Sequence, residues 1–128
     1  TAAADGIIVR TGDGAGVQEL DNDGNEGTGW TILYMHIAER DRIAPGTVVK
    51  TGDWIGHASC DGGVSSGTHV HLARRYNGEW IAADQEIPFV LDGWVSSGDG
   101  NEYDGFLSRD GQILEAYAGR SDNNGIVR

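Results

Sequence analysis

Asx-Gly pairs recur along this chain, at Asp5-Gly6, Asp13-Gly14, Asp23-Gly24, Asn77-Gly78, Asp92-Gly93, Asp99-Gly100 and Asp110-Gly111. Each offers two neighbouring residues that tolerate positive φ, which a two-residue hairpin turn needs if its twist is to match the flanking strands. A chain reversed so often leaves little room for long helices, and an all-β protein is expected. Glycine supplies 21 of the 128 residues and proline 2, without a fixed glycine period. That excludes a collagen-like repeat and favours short strands. The length suits one compact domain.

Residues 30–37 carry bulky and β-branched side chains at successive positions, as a central strand covered on both faces does. Period-two alternation puts Trp30, Ile32, Tyr34 and His36 on one of those faces. Further strands are predicted at 6–10, 47–50, 54–58 and 69–76, the last joined through Asn77-Gly78 to 79–81 as the best hairpin signal. Residues 12–16 read as a turn, since no helix follows that could make them a phosphate-binding loop. Beyond Pro88 the apolar segments are short, at 89–91, 93–95, 105–107 and 112–114. The expected division is a main domain over 1–88, a β extension packed on it over 89–118, and a loosely held tail over 119–128.

Charge narrows the partners. The formal net charge of -11 repels polyanions, and Arg74-Arg75 is too small a basic patch to reverse that field. Nucleic acid and anionic membrane surfaces are excluded as expected partners. No run of residues approaches the roughly 18 apolar positions of a spanning helix, so no membrane insertion is expected. Strong acidity suits an extracellular setting. The one cysteine, Cys60, permits no intrachain disulfide and reads as a buried thiol. Residues 21–27 place Asp21, Asp23 and Asn25 at alternate positions, but Glu26 and Ile32 stand where a calcium-binding helix-loop-helix needs glycine and glutamate. A solvated hairpin loop is the expectation.

The chemistry concentrates in the histidines. His69 and His71 flank Val70 in a predicted strand, so both rings leave the same face, roughly 7 Å apart. Such a pair is either a surface feature of a half-exposed strand, or one metal ligand with a second ring facing the attacking water. His36 adds a third imidazole at the end of the central strand, whereas His57 follows Ile55-Gly56 as a turn-flanking residue. A zinc hydrolase needs protein ligands, an open coordination position, and a group that handles the water's proton or the oxyanion.

Three ordered blocks then stand out: Tyr34-Met35-His36-Ile37; Gly46-Thr47-Val48-Val49-Lys50-Thr51-Gly52-Asp53-Trp54-Ile55-Gly56; and Gly67-Thr68-His69-Val70-His71-Leu72. In order and spacing they resemble the tyrosine-x-histidine-leucine, G-x-x-V-x-x-G-x-x-I-G and G-x-H-x-H blocks of the lysostaphin-like, LytM-type zinc endopeptidases of bacterial peptidoglycan. The match covers about residues 3–76, and residues 76–94 look like the extension of the LasA-like branch. The resemblance implies a mostly antiparallel β-sandwich with a groove, hydrolysis of peptide bonds in peptidoglycan, and a secreted or cell-envelope bacterial location. It implies zinc as cofactor with His71 as a ligand, and His69 and His36 as catalytic residues beside the attacking water.

One departure accompanies the match. In the family a His and an Asp ligand come from a motif before the strand that corresponds to residues 5–9, and here four residues precede that strand. The expectation is a chain that lacks this motif and whose zinc site is incomplete. The rival reading is a catalytically inactive binding or regulatory module of the same type, which zinc stoichiometry would separate from an enzyme. A plain structural β-domain would leave the ordered histidine blocks as coincidence.

Overall fold

In a computed structural model the described residues are 1–101 and 104–116, which leaves the expected tail at 119–128 outside them. The chain divides into two compact units, Thr1–Ile81 and Ala82–Arg128. Among the described residues there are ten strands and no helix, as the turn spacing requires.

The first unit is a six-stranded antiparallel sheet built from β1 (Gly6–Gly12), β2 (Ala15–Glu19), β3 (Trp30–Met35), β4 (Val48–Val49), β5 (His71–Tyr76) and β6 (Glu79–Trp80), in the order β4-β1-β2-β3-β5-β6. Asp13-Gly14 and Asn77-Gly78 close the β1–β2 and β5–β6 hairpins with positive φ at both residues, 48° and 73° in one, 49° and 80° in the other. These are the values that L residues reach at least cost as Asn or Asp.

Two expectations fail here. Residues 12–16 are not merely a turn, because Ala15–Glu19 forms β2 between β1 and β3. Gln18 and Glu19 disguise it, yet both are fully buried. Gln18 takes part in a closed hydrogen-bond network: the Tyr34 hydroxyl donates to its Oε1 at 2.6 Å, its Nε2 donates to the Ala4 carbonyl at 2.6 Å, and the Ala3 amide donates to the Tyr34 hydroxyl at 2.9 Å. With every buried polar atom in it paired, the network fastens residues 2–4 over the sheet without a desolvation penalty. Residues 54–58 are likewise no strand; Ala58 makes one isolated bridge to Ile37.

One face of the sheet holds the core. Ile8, Ile32, Tyr34, Ile37, Val49 and Ile55 cluster with Ala2, and Leu72 packs on their edge. At about 25 cal/mol per Å² of apolar area removed from water, this cluster is the main source of cohesion in the unit.

The second unit is a four-stranded antiparallel meander, β7 (Val90–Leu91), β8 (Trp94–Ser97), β9 (Phe106–Arg109) and β10 (Gln112–Glu115), in the order β10-β9-β8-β7. Asp92-Gly93 and Asp110-Gly111 are again turns with positive φ at both residues. Trp94 is its buried anchor, with the Arg109 guanidinium 4.7 Å from its ring centroid and Arg109 Nη1 donating to the Asp92 carbonyl at 2.9 Å.

Candidate active site

Strand pairing decides which side chains share the face opposite the core. β3 and β5 pair with Met35 opposite His71, Leu33 opposite Ala73 and Thr31 opposite Arg75, while β2 adds Ala15 opposite Met35 and Val17 opposite Leu33. His71, Ala73 and Arg75 therefore run along one face. His71 stands at its end, exposed, its ring without a hydrogen bond among the described residues.

His36 reaches this end by breaking the period. Strict alternation would put it with Ile32 and Tyr34 in the core, but β3 stops at Met35 and His36 takes φ = 62°. That left-handed conformation, uncommon for a non-glycine residue, turns the chain before Ile37 rejoins the core. His36 is 4% exposed, and its Nδ1 lies 3.0 Å from the Asp61 carbonyl. A carbonyl only accepts, so Nδ1 carries the hydrogen and Nε2 keeps its lone pair.

His69 is fixed in the same way from outside the sheet. β5 begins at His71, two positions later than the expected strand, and His69 instead bridges Ser59. Its Nδ1 donates to the Gly67 carbonyl at 2.7 Å, again leaving Nε2 as the free base. The His36 and His69 ring centroids are 4.4 Å apart, and those of His36 and His71 are 6.5 Å apart. The three imidazoles thus meet at one end of the sheet.

The support beneath His36 is backbone against backbone. A Cβ on Gly62 would stand 2.3 Å from the Asp13 carbonyl oxygen, and one on Gly14 would stand 2.4 Å from the Asp61 carbonyl. Only glycine lets the β1–β2 turn press this closely on the loop that holds the Asp61 carbonyl. The Ile37 amide donates to Gly14 and the Ser59 amide to His36, at 2.8 and 2.7 Å.

Other candidates fall elsewhere. Tyr34 is committed to the core, and the Trp30 ring lies 5.0 Å from that of Tyr76 on that same face; neither shapes the histidine face. His57 meets Trp54 edge-on at 4.7 Å and lies 3.5 Å from Asp41. Cys60 is exposed, not buried, because it lies in the loop before Asp61 instead of in a strand.

Among the described residues, one group of three side chains brings its ligand atoms within 4.8 Å of one another: Glu19, Asp21 and Asp23. Inspection of residues 21–27 alone missed Glu19, whose only signal was its position just before them. Its carboxylate accepts the amides of Asp21, Asn22 at 2.9 Å and Gly24 at 3.3 Å, so it braces the loop. Burial pushes the Glu19 carboxyl up, while hydrogen bonds from the Thr28 hydroxyl and the Asn25 amide hold Asp23 down. His36, His69 and His71 do not form a second such group. His71, exposed, could hold a metal ion, and the His36 and His69 rings near it keep Nε2 free of their backbone bonds; around these imidazoles the described residues supply no full set of three ligands.

The model of the family described as Peptidase family M23 matches residues 1–83. The chain is similar in fold to a solved structure described as "A Novel M23 Metalloprotease Pseudoalterin from Deep-sea", with a TM-score of 0.68 and 23% identity over 91% of this chain and 68% of that one. No curated protein matches the chain.

Proposed function

Because the chain belongs to peptidase family M23, we propose that its site serves zinc-dependent hydrolysis of peptide bonds in bacterial peptidoglycan, in the cell envelope or outside the cell. The observation that carries the reading is the meeting of His36, His69 and His71 with the first two rings locked as Nδ1–H tautomers.

His71 would hold the metal, joined by the His and Asp that the family resemblance places before the first strand. Zinc, when bound, polarises a carbonyl and lowers the pKa of water towards about 7. The chain's own residues do the rest. Nε2 of His69 accepts the proton of the attacking water and, once protonated, returns it to the leaving amine. His36, buried and held by the Asp61 carbonyl, presents its Nε2 beside His69 and shares the proton or supports the charge that develops on the former carbonyl oxygen.

Incubation of purified peptidoglycan with the zinc-loaded protein, supplied with the His and Asp ligands that the resemblance places before the first strand, followed by mass analysis of released peptides, tests the proposal. Cleavage products with new amino and carboxyl ends are expected. Intact peptidoglycan with tight binding to it would instead support a non-catalytic binding module.

A further inference from the structure

The face that carries His71 continues past Ala73 to a cavity of about 50 Å³. Val17, Leu33 and Thr31 form its floor, Arg75 and Trp80 one wall, and Arg10 with Glu26 the other. The floor is apolar and the walls are charged, so a ligand group here would lie on hydrocarbon and be held from the side.

The two walls differ in what they leave free. Arg10 donates to both carboxylate oxygens of Glu26, at 3.3 and 3.0 Å, so these charges cancel. The Arg75 side chain forms no hydrogen bond or ion pair among the described residues, and its Nε is buried without a partner. Its guanidinium carbon sits 3.9 Å from the Trp80 ring centroid. Stacking of this kind holds the guanidinium plane while leaving its N–H edge free, the form in which arginine recognises a carboxylate. In a chain of net charge -11, an unneutralised guanidinium over a cavity is an exception that an anionic ligand would resolve.

Spacing fixes where that ligand stands on a substrate. Arg75 is four positions from His71 on the same strand face, roughly 13 Å at about 3.3 Å per residue. An extended peptide covers this span with about four residues. We propose that Arg75, braced by Trp80, anchors a substrate carboxylate about four residues from the peptide bond held at the histidine end. Its placement on a substrate rests on the peptidase reading above; the carboxylate site itself does not.

The test is binding, measured apart from hydrolysis. A six-residue glycine–alanine peptide, acetylated and amidated at its ends and carrying one Glu, is titrated into the 128-residue protein beside its Gln counterpart. A third peptide, neutral in its side chains but ending in a free carboxylate, separates a side-chain from a chain-end carboxylate. The expected result is binding of one of the two carboxylate peptides at least about tenfold tighter than the neutral peptide, the ratio of one charge-assisted contact. In Arg75→Gln that ratio falls to about one, and in Arg75→Lys, which keeps charge but not the stacked fork, it lies between. Equal binding of all peptides, no binding of any, or a ratio that survives Arg75→Gln would overturn the proposal. The wild-type ratio and its loss with added salt decide the matter even if a variant misfolds. Absence of peptidoglycan cleavage beside a retained carboxylate preference would sink the peptidase reading alone.

Discussion

His36 and His69 stand with ring centroids 4.4 Å apart and planes tilted by 44°, although one lies just past β3 and the other just before β5. Each ring gives its Nδ1 hydrogen to a backbone carbonyl, Asp61 for His36 and Gly67 for His69. Backbone carbonyls thereby set the tautomer of each ring and leave its Nε2 free of these bonds.

The first prediction separates metal ligation from proton handling. On the proposed zinc-peptidase reading, with the metal loaded, His71→Ala should lose the metal, whereas His69→Ala and His36→Ala should retain it and lose activity by roughly 10²–10⁴-fold, the usual worth of a positioned acid–base or oxyanion group. Zinc content measured beside peptide hydrolysis checks this. Metal lost from His69→Ala and kept in His71→Ala would reverse the two roles.

A second prediction follows from the left-handed backbone of His36, φ = 62°. Asparagine accepts that conformation and a β-branched residue does not. His36→Val should therefore cost more stability than His36→Asn by about 1–3 kcal/mol, while both lose the imidazole and hence the activity. Urea denaturation of the two variants gives the difference; equal midpoints would show that the turn at His36 is not strained.

The third concerns Gly62, where φ = 75° and a Cβ would meet the Asp13 carbonyl oxygen at 2.3 Å. Gly62→Ala should destabilise the fold by more than about 1 kcal/mol. It should also shift the Asp61 carbonyl and so loosen the His36 tautomer. Nitrogen-15 spectra of the imidazoles report that directly: the His36 ring should move from a pure Nδ1–H pattern towards a mixture, with His57 unaffected.

The fourth is a pH dependence. The Lys50 ammonium, 2.9 Å away, together with the Thr51 amide holds the Asp5 carboxyl down at about 2, from an ordinary 3.8. A carboxyl lowered by folding stabilises above its unfolded pKa, and that contribution is lost as pH falls towards the folded one. The difference in melting temperature between the wild type and Asp5→Asn should thus be full above about pH 4 and shrink as pH falls towards about 2. Glu19, which burial shifts the other way, is common to both proteins and cancels. A difference that grows on acidification would contradict the pairing.

What the sequence determined by itself was local or repeated. Asp13-Gly14, Asn77-Gly78, Asp92-Gly93 and Asp110-Gly111 close hairpins because so few residue pairs accept two positive φ values, whereas Asp5-Gly6 instead opens β1. The bulky run of β3 and the His-x-His signal needed no partner to be read. Tertiary structure decided the rest. β2 stayed hidden because Gln18 and Glu19 look solvent-facing until Tyr34, Ala4 and the loop amides satisfy them. Strand periodicity assigns His36 to the core face. It reaches the histidine face because Gly14 and Gly62 let two loops touch, which places the Asp61 carbonyl under its ring. A close backbone approach between segments distant in sequence leaves no periodic trace in either one, so only the folded chain could bring the three imidazoles together.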